Sequence, residues 1–153
     1  MINTIRTDST NEDFQRLVSL LDSDLKARDG EDHSFYAQFN KIDATKNAVV
    51  AYKNNTAVAC GAFKPYADKT VEIKRMFVDS NYRGQGIAQQ VLLELEKWAA
   101  ELGYTKCVLE TGKRQPEAIG LYEKAGYKRI PNYGQYEYME NSVCMEKQLQ
   151  KFE

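Results

Sequence analysis

Two neighbouring stretches decide how this 153-residue chain is read: Glu72-Ile73-Lys74-Arg75-Met76-Phe77-Val78, and then Arg83-Gly84-Gln85-Gly86-Ile87-Ala88. The first belongs to a strand running from Val71 to Val78. The second is a glycine-rich turn that opens a long amphipathic helix. Glycines at such a turn let backbone amides crowd together with no Cβ in the way. The free N–H groups of the helix start, helped by the helix dipole, make a site for phosphate oxygens. Arg83 adds a fixed charge with several donors. No Lys-Ser/Thr pair follows the glycines, so the turn is not a nucleoside-triphosphate loop. Gln89 stands where a dinucleotide fingerprint has its third glycine. A pyrophosphate cradle fits these residues, and on them alone a plain strand-to-helix turn fits equally well.

Downstream, Ile87, Val91, Leu95, Trp98 and Leu102, with Ala88, Leu92 and Ala99, predict one broad buried helical stripe. Gly103 supplies its left-handed stop. Cys107-Val108-Leu109 is apolar throughout, as a strand buried on both faces would be. Pro116 suits the first residue of another helix, with a stripe of Ala118, Leu121, Tyr122 and Ala125 closed by Gly126. Two last strands follow, from about Tyr127 to Ile130 and from Ser142 to Leu149.

Upstream, Asn47 to Lys53 and Thr56 to Pro65 flank Asn54-Asn55, a pair that tolerates the left-handed backbone of a tight hairpin. A second turn at Ala67-Asp68-Lys69 completes an antiparallel meander. Residues Ile2 to Thr7 alternate as a short first strand. Ser9-x-x-Glu12 reads as a capping box for a helix whose stripe is Phe14, Leu17, Val18, Leu21 and Leu25, ending at Asp29-Gly30. A short helix is expected around Phe35 to Phe39. The order β-α-α-βββ-α-β-α-ββ makes an α/β (α+β) domain spanning 1–153. Its mixed, mostly antiparallel sheet has parallel pairing at the centre.

Formal net charge is −1, with no basic stripe, which argues against a nucleic-acid binder. Lys74, Arg75 and Arg83, beside the glycine turn, suit a small anionic ligand better. The three cysteines, Cys60, Cys107 and Cys144, lie among β-forming residues without metal-ligand spacing. Buried free thiols, no metal and a reducing compartment are the expectation. Residues Met1 to Thr10 hold no apolar signal core, and no apolar run approaches the ~20 residues of a membrane span. A cytoplasmic setting is therefore expected.

Arg83-x-x-Gly86-x-Ala88 resembles the Arg/Gln-x-x-Gly-x-Gly/Ala signature of the GNAT N-acetyltransferases. The strand Glu72 to Val78 is similar to that family's central cofactor strand. Gln115-Pro-Glu-Ala-Ile-Gly-Leu-Tyr-Glu-Lys-Ala-Gly-Tyr127 resembles its Asn-x-x-Ala-x-x-Leu-Tyr-x-x-x-Gly-Phe/Tyr block. The likeness covers nearly the whole chain. It implies acetyl-CoA as cosubstrate, its pantetheine arm paired with the backbone of Met76, Phe77 and Val78 like an added strand. A bulge there would splay this strand from the one beginning near Cys107. The diphosphate would rest on amides of Gly84, Gln85, Gly86, Ile87 and Ala88 beside Arg83. Gln115 takes the place of a cofactor-binding Asn, one methylene longer.

The resemblance further implies transfer of acetyl to a primary amine, of a small metabolite or amino-acid-like compound, or else of a peptide. Glu72 matches a glutamate that some members use as general base. Tyr122 matches a tyrosine placed near the thioester sulfur to protonate the leaving thiolate. His33, the only histidine, and Tyr133 and Tyr136 in an aromatic turn are candidate substrate contacts. The partner expected is a small-molecule amine, with neither nucleic acid nor membrane. A homodimer is left open, as is a catalytically inactive CoA-binding module.

Overall fold

A computed structural model describes residues 1–29 and 45–149. Seven strands and three helices alternate among them: β1 (Ile2–Thr7), α1 (Glu12–Asp29), β2 (Asn47–Lys53), β3 (Thr56–Ala67), β4 (Thr70–Val78), α2 (Ile87–Glu101), β5 (Lys106–Gly112), α3 (Pro116–Lys124), β6 (Lys128–Ile130) and β7 (Ser142–Gln148). They form one sheet in the order β1-β2-β3-β4-β5-β7-β6. All neighbours are antiparallel except the central pair, β4 and β5. The mixed sheet expected from the order of elements is thus present. The helix expected at Phe35 to Phe39 lies outside the described residues.

The meander follows from its turns. Asn54 and Asn55 have φ of 51° and 68°, the two left-handed positions a two-residue hairpin needs. Lys69, at φ 52°, closes the next hairpin. β2 is buried on both sides, which explains its unbroken apolar run. Ala48 and Val50 face a cluster with Phe14, Leu17, Val18 and Leu21 of α1. Val49 and Ala51 face the main core, with Val91, Leu92 and Leu95 of α2 and Ile119 and Tyr122 of α3. The side chains of Leu17, Leu92 and Leu95 are fully buried, each stabilising the fold by about 1.5–3 kcal/mol.

Three local readings need correction. The α1 cap is Asn11, whose Oδ1 accepts the Phe14 amide at 2.9 Å. Ser9 instead donates its backbone N–H to the Thr45 carbonyl, so the capping box is not used. On α2, Leu102 is exposed because the helix ends before it. Glu96 goes inside in the same stripe, accepting from the Tyr127 hydroxyl and the Lys147 ammonium, each at 2.8 Å. On α3 the buried residues are Ile119 and Tyr122, while Ala118 and Leu121 are half-buried walls of a cavity.

The feature that makes a site is a bulge in β4. Cys60 pairs with Phe77 and Ala62 with Lys74, so Arg75 and Met76 both oppose Gly61. Arg75 takes φ 62°, a left-handed backbone that a side chain seldom adopts. Gly61 lies opposite it. A Cβ there would come within 2.5 Å of Met76 Sδ and 2.8 Å of a Leu95 methyl.

Candidate active site

β4 and β5 stay paired from Thr70↔Lys106 to Ile73↔Leu109 and then part. Beyond that point β4 keeps to β3, and β5 keeps to β7. The expected splay is therefore real. It leaves the β5-side backbone edge of Lys74 to Val78 without a neighbouring strand. Two adjoining cavities occupy this opening, with volumes of about 340 Å³ and about 100 Å³. Met76, Gln115, Ala118 and Tyr122 line both.

The larger cavity runs along Met76, Phe77 and Val78 to the turn before α2, walled by Ala118, Leu121 and Tyr122 of α3. Gly84 and Gly86 have φ of 78° and 77°, and a Cβ on either would meet nothing within 4 Å. Open space therefore lies in front of amides that begin α2, where a diphosphate fits. Gly84, Gly86, Ile87 and Ala88 line this cavity, as expected for a cradle. Arg83 is folded across its end: Nε donates to the Val78 carbonyl at 3.0 Å, and the guanidinium lies 5.7 Å from the Phe77 ring centroid. The Gln85 side chain accepts from Lys53 at 2.7 Å, so only its backbone is offered. Gln115 makes no side-chain cap at the start of α3, and its amide remains available to the cavity.

The smaller cavity is walled by charge: Glu72, Lys74, Arg75 and Glu110, with Thr111, Tyr136 and Asn141. The Glu72 side chain is 3% exposed, and its Oε2 accepts the Tyr133 hydroxyl at 2.6 Å. The ammonium groups of Lys74 and Lys64 stand 3.9 and 4.0 Å from its Oε1. Burial pulls the Lys74 ammonium below its ordinary range, while Glu72 acts in the opposite direction. Tyr133 therefore braces Glu72, and of the two expected aromatic contacts it is Tyr136 that lines the cavity. His33 lies outside the described residues.

Tyr122 sits where the cavities meet. Burial pushes its phenol well above the ordinary tyrosine range, and the charge of Glu110 adds to this. Glu110 is the acidic residue missed in the sequence. It is one step past the last β4–β5 pair, and its Oε2 accepts the Ser142 hydroxyl at 2.8 Å. The available signal was a carboxylate directly after the apolar run Cys107-Val108-Leu109. Asn141 was also missed as a wall residue, whereas Lys74, expected beside a small anionic ligand, lines this chamber.

Chemically, the arrangement offers a main-chain cradle for a phosphate-bearing ligand. Beside it, a phenol and two carboxylates stand around a small polar chamber. The profile of the acetyltransferase (GNAT) family matches residues 14–127. An IAA acetyltransferase from Azospirillum brasilense is 36% identical over 102 residues, covering 66% of this chain and 67% of that protein. Mammalian N-acetyltransferase 8 relatives also match, but the matched part spans only 27–31% of their length. A Klebsiella pneumoniae protein described as an acyl-CoA N-acyltransferase superposes with a TM-score of 0.82 at 28% identity, covering 98% of this chain and 99% of that one. PaiA N-acetyltransferase from Thermoplasma acidophilum, solved with coenzyme A, has a TM-score of 0.72 at 20% identity over 97% of this chain and 99% of its own. With the splayed central strands and the amide cradle in place, this chain belongs to the GNAT family of acetyltransferases.

Proposed function

We propose that the enzyme transfers acetyl from acetyl-CoA directly to the primary amine of a small metabolite. The observation that carries this reading is the junction at Tyr122, where the larger cavity, bordered by the glycine turn, opens into a chamber of about 100 Å³ bearing Glu72 and Glu110. A chamber of that size favours a small amine head over a long peptide. Acetyl-CoA, when bound, supplies the acetyl group as an activated thioester. Met76, Phe77 and Val78 would hold its arm by their open backbone edge. The amides from Gly84 to Ala88, with Arg83 and Gln115, would hold its diphosphate end.

The chain's own residues then have three tasks. They hold two reactants side by side, which supplies much of the acceleration. They take a proton from the acceptor ammonium. Both carboxylates line the chamber, and the base is assigned to Glu110, which stands one step past the last β4–β5 pair, where the strands part. Glu72, tied to Tyr133, orients the amine and the aromatic wall. Tyr122 is held protonated by burial, and it stabilises the leaving sulfur by its O–H. A phenol kept above the ~8.5 range of a thiol hydrogen-bonds a thiolate more readily than it surrenders its proton outright, so the thiolate takes up the second proton that the acetylated nitrogen sheds. Buried free cysteines fit work in a reducing compartment such as the cytoplasm.

Two measurements test this reading. Calorimetry should detect acetyl-CoA binding, and thiol release should appear with a panel of primary amines. Tyr122→Phe keeps the ring against Tyr127, an edge contact with centroids 5.7 Å apart. Turnover should fall ~100-fold, the scale of one lost charge-stabilising donor, while acetyl-CoA affinity and melting temperature move little. A folded Tyr122→Phe protein with near-native turnover removes the tyrosine from the chemistry.

A further inference from the structure

Asn141 is 9% exposed, and its Nδ2 is buried without a hydrogen-bond partner. The residue lines the smaller cavity at the end of β5. Its backbone is fixed, because the Asn141 carbonyl accepts the Lys113 amide at 2.8 Å. The loop leading to it is fixed as well: Asn132 Nδ2 donates to the carbonyls of Met139 and Ser142, each at 3.1 Å. The Asn141 amide packs close over Gly112, where a Cβ would lie 3.4 Å from Nδ2. A rigidly held, buried donor with no acceptor is costly unless an oxygen arrives to meet it.

The remaining walls say what carries that oxygen. A simple amine would be served by carboxylates alone, and a diamine would meet cations at its far end. This chamber holds both signs: Glu72 and Glu110 against Lys74 and Arg75, whose side chains are 13% and 7% exposed. Arg75 stands 3.7 Å from Asp22 and Lys74 3.9 Å from Glu72, so each cation is held at the chamber wall beside a carboxylate. Resting on the acetyl-transfer reading, we propose that the acceptor is a small zwitterion carrying a carboxylate beside its amine, an amino acid or close relative. Its carboxylate accepts from Asn141 Nδ2 opposite Lys74, and its ammonium faces Glu110 and Glu72. Asn141 is thus a specificity-determining residue.

Thiol release from acetyl-CoA tests this with matched acceptors: amino acids, their carboxamides, their decarboxylated amines, diamines and short peptides. The wild type should prefer an amino acid over its decarboxylated amine by at least ~30-fold in kcat/KM, chiefly through KM. Asn141→Asp keeps the shape but turns a donor into a repelling carboxylate, so the preference should shrink at least tenfold. Lys74→Gln is the second variant, should Asn141→Asp fold poorly, and should shrink it likewise. If decarboxylated amines, diamines or peptides react as well as amino acids, the zwitterion proposal fails and acetyl transfer stands. A preference unchanged in both variants also overturns it, leaving Asn141 as a loop brace seen only in melting temperature. If acetyl-CoA binds but no amine of any class releases thiol, the acetyl-transfer reading falls and the proposal with it.

Discussion

The larger cavity is lined mainly by main chain, glycine and apolar side chains, with Asp24, Arg83, Glu117 and Lys124 as its charged residues; the smaller one gathers Glu72, Lys74, Arg75 and Glu110 around an amide. The first is built chiefly on one run of sequence, from Met76 through the turn to Ala88, with α3 and Leu21 and Asp24 of α1 against it. The second draws on β4, β5, α1, α3 and the loop before β7, brought together by the sheet. Main chain recognises a shared ligand in a shared way and tolerates exchange of most side chains. Charged walls are individual, and each substitution changes what the chamber accepts. Changes in the smaller cavity should therefore act on turnover and selectivity, and changes in the larger one on cofactor affinity.

The sharpest break of that contrast is a carboxylate swap. Glu110→Gln should lower turnover ~100-fold with acetyl-CoA affinity retained, as measured by steady-state kinetics and calorimetry. Glu72→Gln should cost only about tenfold, through loosened positioning, since its carboxylate is tied to Tyr133. The reverse ranking would return the base role to Glu72. From the other side, Gly86→Val should weaken acetyl-CoA binding at least tenfold, about 1.4 kcal/mol, because a branched side chain would fill the open space before the α2 amides. Gly86→Ala carries the same φ of 77° with less bulk. The difference between the two variants isolates contact from backbone strain. Equal affinities in both folded variants would place the diphosphate elsewhere.

The smallest effect concerns the fold common to both cavities. Burial pushes the thiols of Cys60 and Cys107 up to about 12 and that of Cys144 to about 11. An unfolded chain releases such protons near ~8.5. The folded state therefore holds protons that the unfolded state has lost, so this contribution is complete below about pH 8.5 and is lost as pH rises through the folded values. Melting temperature should stay level to about pH 8 and decline from about pH 9 to about pH 11. Native thiols should label far more slowly than unfolded ones at about pH 8. Rapid native labelling would contradict the burial.

What could be read from the sequence follows the same division. Gly84 and Gly86 act through local backbone, so spacing and residue type were enough to single out the turn, whereas the backbone role of Met76 to Val78 came from the resemblance alone. The bulge was expected from resemblance, but its placement at Arg75 depends on the partner Gly61. Periodicity assigned Ala118 and Leu121 to the core, and they face the cofactor cavity, because a helical stripe does not distinguish a packed wall from a wetted one. Glu96 entered the core in place of Leu102 once Tyr127 and Lys147, distant in sequence, satisfied it. Asn11 displaced Ser9 as cap because the first strand and its exit fix where α1 begins. Glu110 and Asn141 carry no motif, and only the crossing of β5 with the final loop makes them neighbours.

Gly61 lines neither cavity, yet it bears on both. Met76, which borders both chambers, rests over the space where a side chain at position 61 would stand. Even a methyl group there would press on the thioether and force Met76 to shift. The seat of a side chain shared by both cavities is thus set by a missing side chain on the neighbouring strand. Throughput could be tuned from there with every reacting group left unaltered.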